Sequence, residues 1–227
     1  MAATNIISLI ETIISSIRDT ASITNITHTG TTYSVFTPDT KRLIVGDFIS
    51  ISGNNYQILT LTTNVRFTIT SIISVIGTSW TALAPYFFYG NAILISNTLD
   101  KIKIYQQKFP IIILYLPIKT QDNYNDTENL ETTATIQIDF MDEANYQDWS
   151  SDQYITNVAT PLQLYIDAFI TECQNNHNII ASLMNTGNRT IYDKWILQLE
   201  NGKNVFNSEL SGIGLTVDLP IKRSTAC

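Results

Sequence analysis

Phe109-Pro110-Ile111-Ile112-Ile113-Leu114-Tyr115-Leu116 is the stretch on which the fold turns. It is apolar at consecutive positions, it has the length of a strand, and Pro110 suits a first strand position, where no ladder N–H is required. A strand with apolar side chains pointing both ways must be covered on both faces, so it belongs at the centre of a layered fold. Outward from it, Thr135-Ile136-Gln137-Ile138-Asp139-Phe140 and Leu215-Thr216-Val217-Asp218-Leu219-Pro220 alternate apolar and polar residues, as strands with one buried face do. Between them Ile155, Val158, Leu162, Tyr165, Ile166, Phe169, Ile170 and Cys173 mark one stripe of a helix over residues 152–175. Thr160-Pro161 interrupts that stripe, so a kinked helix is expected, with Pro161 forfeiting its bond to the carbonyl of Asn157. Asn175-Asn176-His177-Asn178 ends the helix, and residues 191–200 pair with 213–221 as closing strands. Residues 119–133 read as a long polar loop.

Upstream, Ile6, Leu9, Ile10, Ile13, Ile14 and Ile17 recur at spacings of three and four, which predicts an amphipathic helix over residues 4–19. From Ser22 the period switches to two, and turn residues recur at Thr29-Gly30, Pro38-Asp39, Gly46-Asp47, Gly53-Asn54 and Thr63-Asn64. The clearest hairpin turns at Gly53-Asn54 between residues 47–52 and 55–61. An aromatic stretch follows, Trp80 and then Tyr86-Phe87-Phe88-Tyr89, a ring-dense loop whose rings either plug the barrel end or the seam between modules or serve as a protein or glycan contact. The expected fold class is therefore α+β, a mixed or antiparallel sheet flanked by helices, with an inserted small all-β module. The expected boundaries are 1–20 for the N-terminal helix of the main domain, 21–98 for the inserted β-barrel or β-sandwich, and 99–227 for the main domain.

Chemistry is hard to find in these 227 residues. Charged residues make up 15% of the chain against roughly 25% in soluble domains, and Thr, Asn and Ser supply the polarity. A net charge of -7, with Lys41-Arg42 and Lys222-Arg223 the only adjacent basic pairs, gives no cationic footprint for wrapping nucleic acid. An acidic wall does suit DNA that must slide past without sticking. Cys173 lies on the apolar stripe and Cys227 ends the sequence, so no disulfide and a reducing compartment are expected. No apolar run reaches the ~18 residues of a membrane-crossing helix, and no secretory leader is read.

His28 and His177 have no Cys, His or acid at ligand spacing, so no metal is expected there. Asp122, Asp126, Glu128 and Glu131 carry Tyr124 where a calcium loop needs a ligand, and they lack its turn glycine. Asp139, Asp142 and Glu143 are the nearest approach to an acid–base pair, which would have to converge in a cleft. Neither a phosphate cradle nor a nucleophile elbow is present, so no catalytic residue, cofactor site or metal site is assigned. Asp142-Glu143-Ala144-Asn145-Tyr146-Gln147-Asp148-Trp149 mixes acids with rings, a composition suited to an interface.

The order of elements resembles that of bacteriophage tail terminator, tail-completion and neck (head-tail connector) proteins. The resemblance rests on the N-terminal helix, the strand Lys108 to Leu114, the strand Thr135 to Phe140, the long helix, and a last strand preceded by Phe206-Asn207-Ser208-Glu209-Leu210-Ser211-Gly212. It covers the first helix and residues 100–221, and the inserted β-rich region departs from it. It implies a structural virion protein, not an enzyme, made in the host cytoplasm and built into the virion as a closed ring of six or twelve copies. Such a ring joins portal or neck to tail around a DNA path that it does not read. On this reading Asp142, Tyr146 and Trp149 are expected at subunit contacts, and Trp80, Tyr86, Phe87 and Phe88 at contacts with neighbouring neck, tail or portal proteins. The alternative is a carbohydrate- or host-binding virion module that uses the aromatic loop 80–89 as its platform.

Overall fold

The computed structural model describes residues 3–18, 20–40, 43, 45–82, 84–91, 110–124, 130–143, 150–184, 189–196 and 210–222. The chain divides into two compact units, Arg18–Ala84 and a second made of Met1–Ile17 with Pro85–Cys227. It is a mixed α+β fold with mainly antiparallel sheets and short helices.

The first unit is all-β. Strands β1 (Thr20–Ser22), β2 (Asn25–Thr29), β3 (Thr32–Phe36), β4 (Phe48–Ile51), β5 (Asn54–Gln57), β6 (Thr60–Thr62), β7 (Arg66–Thr70) and β8 (Ser79–Ala82) form two four-stranded antiparallel sheets. Their orders are β1-β8-β4-β5 and β2-β3-β7-β6. Alternate residues point inward, and Val35, Phe67 and Ile69 from one sheet meet Ile49, Ile51 and Trp80 from the other in a single buried core. The Trp80 ring stands edge-on to Phe67 with centroids 6.0 Å apart. Its Nε1–H donates to Thr37 Oγ1 at 2.9 Å, which satisfies the one polar atom the ring brings inside. A reciprocal pair closes the loop after β3: Thr40 N–H donates to Asn64 Oδ1, and Asn64 N–H donates to Thr40 Oγ1. The β4–β5 hairpin turns at Ser52-Gly53, one residue earlier than the sequence reading places it. Ser52 (φ 50°) and Gly53 (φ 83°) both take the left-handed conformation that a two-residue loop between twisted strands demands.

In the second unit α1 (Ala3–Ser16) buries Ile6, Ile10, Ile13 and Ile14. Strands β9 (Tyr86–Gly90), β10 (Ile111–Tyr115), β11 (Lys119–Tyr124), β12 (Leu130–Glu143), β13 (Arg189–Ile196) and β14 (Leu210–Lys222) form one sheet. Its order is β13-β14-β12-β10-β9, and β11 also pairs with β12. All pairings are antiparallel except β9 with β10, so the sheet is mixed.

β10 is buried on both faces, as its sequence requires. Ile112 and Leu114 lie in the helix-covered core, while Ile111 and Ile113 point the other way and are equally inaccessible. Its neighbours are β12 and the aromatic strand β9; β14 lies one strand further out, beside β12. Residues 119–124 and 130–133, expected in a polar loop, are strand. β11 continues β10 against the same edge of β12 after a break at residues 116–118 that shifts the register by two residues. The Thr132 hydroxyl donates to Asp122 Oδ1 across the pair.

Residues 151–175 run helically as α2 (Ser151–Tyr154), a π-helical turn (Ile155–Ala159) and α3 (Thr160–Asn175). Ser150 caps the start in a capping box with Gln153. In the π turn, Thr160 N–H donates to the carbonyl of Ile155, five residues back. The expected kink is thus a local widening just before Pro161, which relieves the ring's clash with the preceding turn without breaking the helix. The extra residue moves the stripe's phase. Upstream of it Tyr154 packs toward the core, and Ile155, read from sequence as buried, is 52% exposed. Phe169 of α3 meets Phe140 of β12 edge-on at 5.8 Å. Ser16 Oγ, at the last residue of α1, donates to Glu172 Oε2 of α3 at 3.1 Å. After α3 the chain makes α4 (Ala181–Met184), and Ile179 bridges to Ile221 on β14.

Residues 86–90 pair with β10, so the chain re-enters the larger unit at Pro85, ahead of the boundary at 98 that sequence periodicity gives. A strand of consecutive rings looks alike whether it closes a small sandwich or edges a larger sheet; only the pairing distinguishes the two.

Candidate functional site

The acids come first, because any chemistry would start there. Asp139 and Asp142 both lie on β12, three residues apart, so the period-two alternation of a strand sends them to opposite faces of the sheet. Asp139 stands opposite Ile113 and Gly214, and Asp142 opposite Ser211. Both are buried, Asp139 completely. Two carboxylates on opposite faces of one sheet cannot share a proton or flank one scissile bond. Asp142 is the penultimate residue of β12. It has little surface with which to meet a neighbouring subunit, though the sequence reading put it at such a contact. Tyr146 and Trp149, the other two residues of that expected contact, lie outside the described residues, as do Asp126 and Glu128. Ser211, beside Asp142, shares a hydrogen bond of 2.9 Å with the Tyr154 hydroxyl. That contact ties the start of the long helix to β14.

The aromatic residues do not form a loop. Trp80, on β8, is 1% exposed and belongs to the core of the all-β unit, so its ring is not available as a contact for a sugar or a partner protein. Tyr86, Phe87, Phe88 and Tyr89 form β9, where alternation sends two rings to each face. Tyr86 and Phe88 stack on one face with centroids 6.3 Å apart, and Phe87 and Tyr89 lie 6.1 Å apart on the other. Phe87 packs against the helix-covered core, and Tyr89 is 53% exposed. Ring density was a sound signal of burial here, because aromatic and β-branched residues fit a pleated, half-covered surface.

No group of three or more His, Cys, Asp or Glu side chains that could hold a metal occurs among the described residues. Exposed His28 stacks on Tyr33 at 5.2 Å, and exposed His177 lies in the turn after α3. Burial raises the Cys173 thiol far above the ordinary thiol range, and the charge of Glu172 adds to the effect, so the thiol stays protonated. No helix among the described residues is long and apolar enough to cross a membrane. The chain matches no protein-family model and no curated protein.

One exposed feature had no place in the sequence reading. Ile72, Ile73 and Ile76, between β7 and β8, are 94%, 55% and 76% exposed. Its signal in the sequence was the run from Phe67 to Leu99, thirty-odd residues without Asp, Glu, Lys or Arg, in which these isoleucines fall outside any alternating segment.

Proposed function

We propose that this chain is a structural virion protein, a subunit of a ring of six or twelve copies at a phage neck or tail end that joins portal or neck to tail around the DNA path. The observation that carries the reading is the order in which the larger unit is built. A helix from residues 3–16, the strand at 111–115, the long strand at 130–143, the helical run to 175 and the last strand at 210–222 share one core, with an all-β unit set between the first helix and the rest. That order is similar to the one the tail-completion resemblance implies. Asp139 and Asp142 lie on opposite faces of the sheet, which favours a structural role over an acid–base pair made of those two. A chain with net charge -7 also gives DNA little to adhere to on its way through a ring.

The test is assembly. Mass photometry and negative-stain imaging of the purified full chain, alone and on virions, should give rings with a mass of six or twelve protomers, or density at the head–tail junction. A chain that stays monomeric at every concentration and is absent from virions overturns the proposal. Retention of the chain on duplex DNA at 0.15 M salt would contradict the passive-channel part of it.

A further inference from the structure

β13 is the last strand of the larger unit's sheet, and among the described residues only β14 pairs with it. Its register runs from Arg189 opposite Val217 to Ile196 opposite Leu210 without a bulge, and it contains no proline. An unbroken edge of this kind offers a row of backbone N–H and C=O groups to a further strand. Arg189, Thr190 and Ile191 are exposed one after the other, so neither face of the strand is covered there. The register also places Arg189, Ile191 and Asp193 on the face of Val217, Leu215 and Ile213, three residues of the helix-covered core. Ile191, 38% exposed, thus stands beside fully buried Leu215 where the core reaches the margin of the sheet. One more strand would cover it.

Charge selects the strand that fits. Ionic residues on an edge ordinarily deter pairing. Here Arg189 and Asp193 have opposite sign and stand symmetrically about Ile191, two residues to either side. A second copy of β13, laid antiparallel about a two-fold axis through Ile191, brings Arg189 opposite the partner's Asp193 and Asp193 opposite the partner's Arg189, with Ile191 opposite itself. Other registers lose the match. Moving the axis to Thr190 or to Tyr192 sets Ile191 against Arg189 or Asp193, and moving it to Asp193 sets two carboxylates face to face. A strand has no need to complement itself in order to bind a different protein, so this symmetry of charge points to a second copy. The paired backbones add hydrogen bonds along residues 189–193, and the contact does not depend on apolar area alone.

We infer that β13 pairs antiparallel with β13 of a second copy about a two-fold axis at Ile191, joining the two large sheets into one. A ring generated by rotation alone uses head-to-tail contacts, so this contact is separate from the ring reading and is tested by itself. The test is charge exchange in the full chain. Arg189→Asp and Asp193→Arg each set two like pairs across the axis, and sedimentation equilibrium should show the dissociation constant of the two copies raised about tenfold or more. Arg189→Asp combined with Asp193→Arg should restore it, which a merely misfolded variant could not do. In a Cys227→Ser background, Ile191→Cys should form a copy-to-copy disulfide under copper phenanthroline, because directly opposite residues of an antiparallel pair lie about 4.5–5.5 Å apart between Cα atoms. Arg189→Cys, which does not face itself, should not. Association unchanged in both single variants, a double variant no tighter than the singles, or equal cross-linking at 189 and 191 overturns the inference. Charge-dependent dimers that never grow to six or twelve copies uphold it and count against the ring. Rings that form with no response to the charge exchange and no disulfide at 191 do the reverse.

Discussion

The two units solve the same problem differently. The larger one builds its core from far-separated parts of the chain: Ile6 to Ile17 at one end and Leu215 to Ile221 at the other lie in one cluster with Phe140 and Phe169, beneath strands of 13 and 14 residues. The all-β unit is contiguous, its strands are three to five residues long, and hydroxyl links such as Thr37 to Trp80 and Thr40 to Asn64 secure the loops between them. Contiguity makes the second kind of core insertable, since it closes on itself whatever precedes or follows it. The first kind can be finished only when the last strand arrives. The contrast yields a consequence that can be broken: each core should respond to its own lesions and ignore the other's.

The largest expected effects test that directly. Phe169→Ala removes a fully buried ring from the larger unit, and Trp80→Ala removes one from the all-β unit, each at a cost of about 3–5 kcal/mol. Amide exchange should show loss of protection confined to the unit that was altered. Cys173 gives a second readout. In a Cys227→Ser background its buried, protonated thiol should alkylate only when the larger unit opens, so Phe169→Ala accelerates the reaction and Trp80→Ala does not. Because the folded thiol titrates above the unfolded one, its contribution to stability is intact at neutral pH and is lost as the pH rises past the ordinary thiol pKa of about 8.5. Equal acceleration by both substitutions would mean that the two cores open as one.

Gly212→Ala comes next. A Cβ at this position on β14 would lie 2.2 Å from the carbonyl oxygen of Phe140 and 3.1 Å from the Cα of Met141, and backbone cannot swing aside as a side chain can. A loss of about 1–3 kcal/mol from the larger unit is expected in urea unfolding, with the all-β unit unchanged. An unaltered midpoint would show that β12 and β14 separate easily, contrary to their thirteen-residue register.

The central strand, the first helix, the α+β class and the all-β character of residues 18–84 were legible in the sequence because each rests on a strong local period. What escaped it depended on partners remote in sequence. Lys119 to Tyr124 is polar at almost every position, and only its pairing with residues 130–135 makes it a strand. The rings of β9 could have closed either core, and parallel pairing with β10 assigned them. Ile155 was lost to a π turn, which inserts a residue without disturbing the apolar spacing that reads as continuous α-helix. The candidate site was less legible still. Trp80, expected at a partner contact, is core, while Ile72, Ile73 and Ile76, which had no place in the sequence reading, are exposed.

Ser150→Ala should cost about 1 kcal/mol, the usual value of an N-cap, because it removes the Oγ that accepts from Gln153 N–H and leaves only the backbone half of the capping box, Ser150 N–H to Gln153 Oε1. Its effect belongs to the larger unit alone, and it also tests the π turn. If α2 frays without its cap, Tyr154 should release its hydrogen bond to Ser211, and exchange at Leu210 to Ile213 should quicken. Protection unchanged at those amides would place the anchor in Val158 of the π turn and Leu162 beyond it, instead of in the cap.

The smallest effect expected is the one that most sharpens the contrast between buried and exposed hydroxyls. Thr60 and Thr68 share a hydrogen bond of 2.7 Å on the outer face of the all-β unit, in the same register in which Thr27 faces Ser34 and Ser34 faces Thr68. Water can replace either partner at Thr60, and valine matches threonine in shape and in strand preference. Thr60→Val should therefore move the unfolding midpoint by no more than about 0.5 kcal/mol in either direction. A loss several times larger would mean that the row of hydroxyls acts as a connected network. The outer face would then join the core as a determinant of the unit's stability, and the simple division between a bonded interior and a solvated exterior would fail for this sheet.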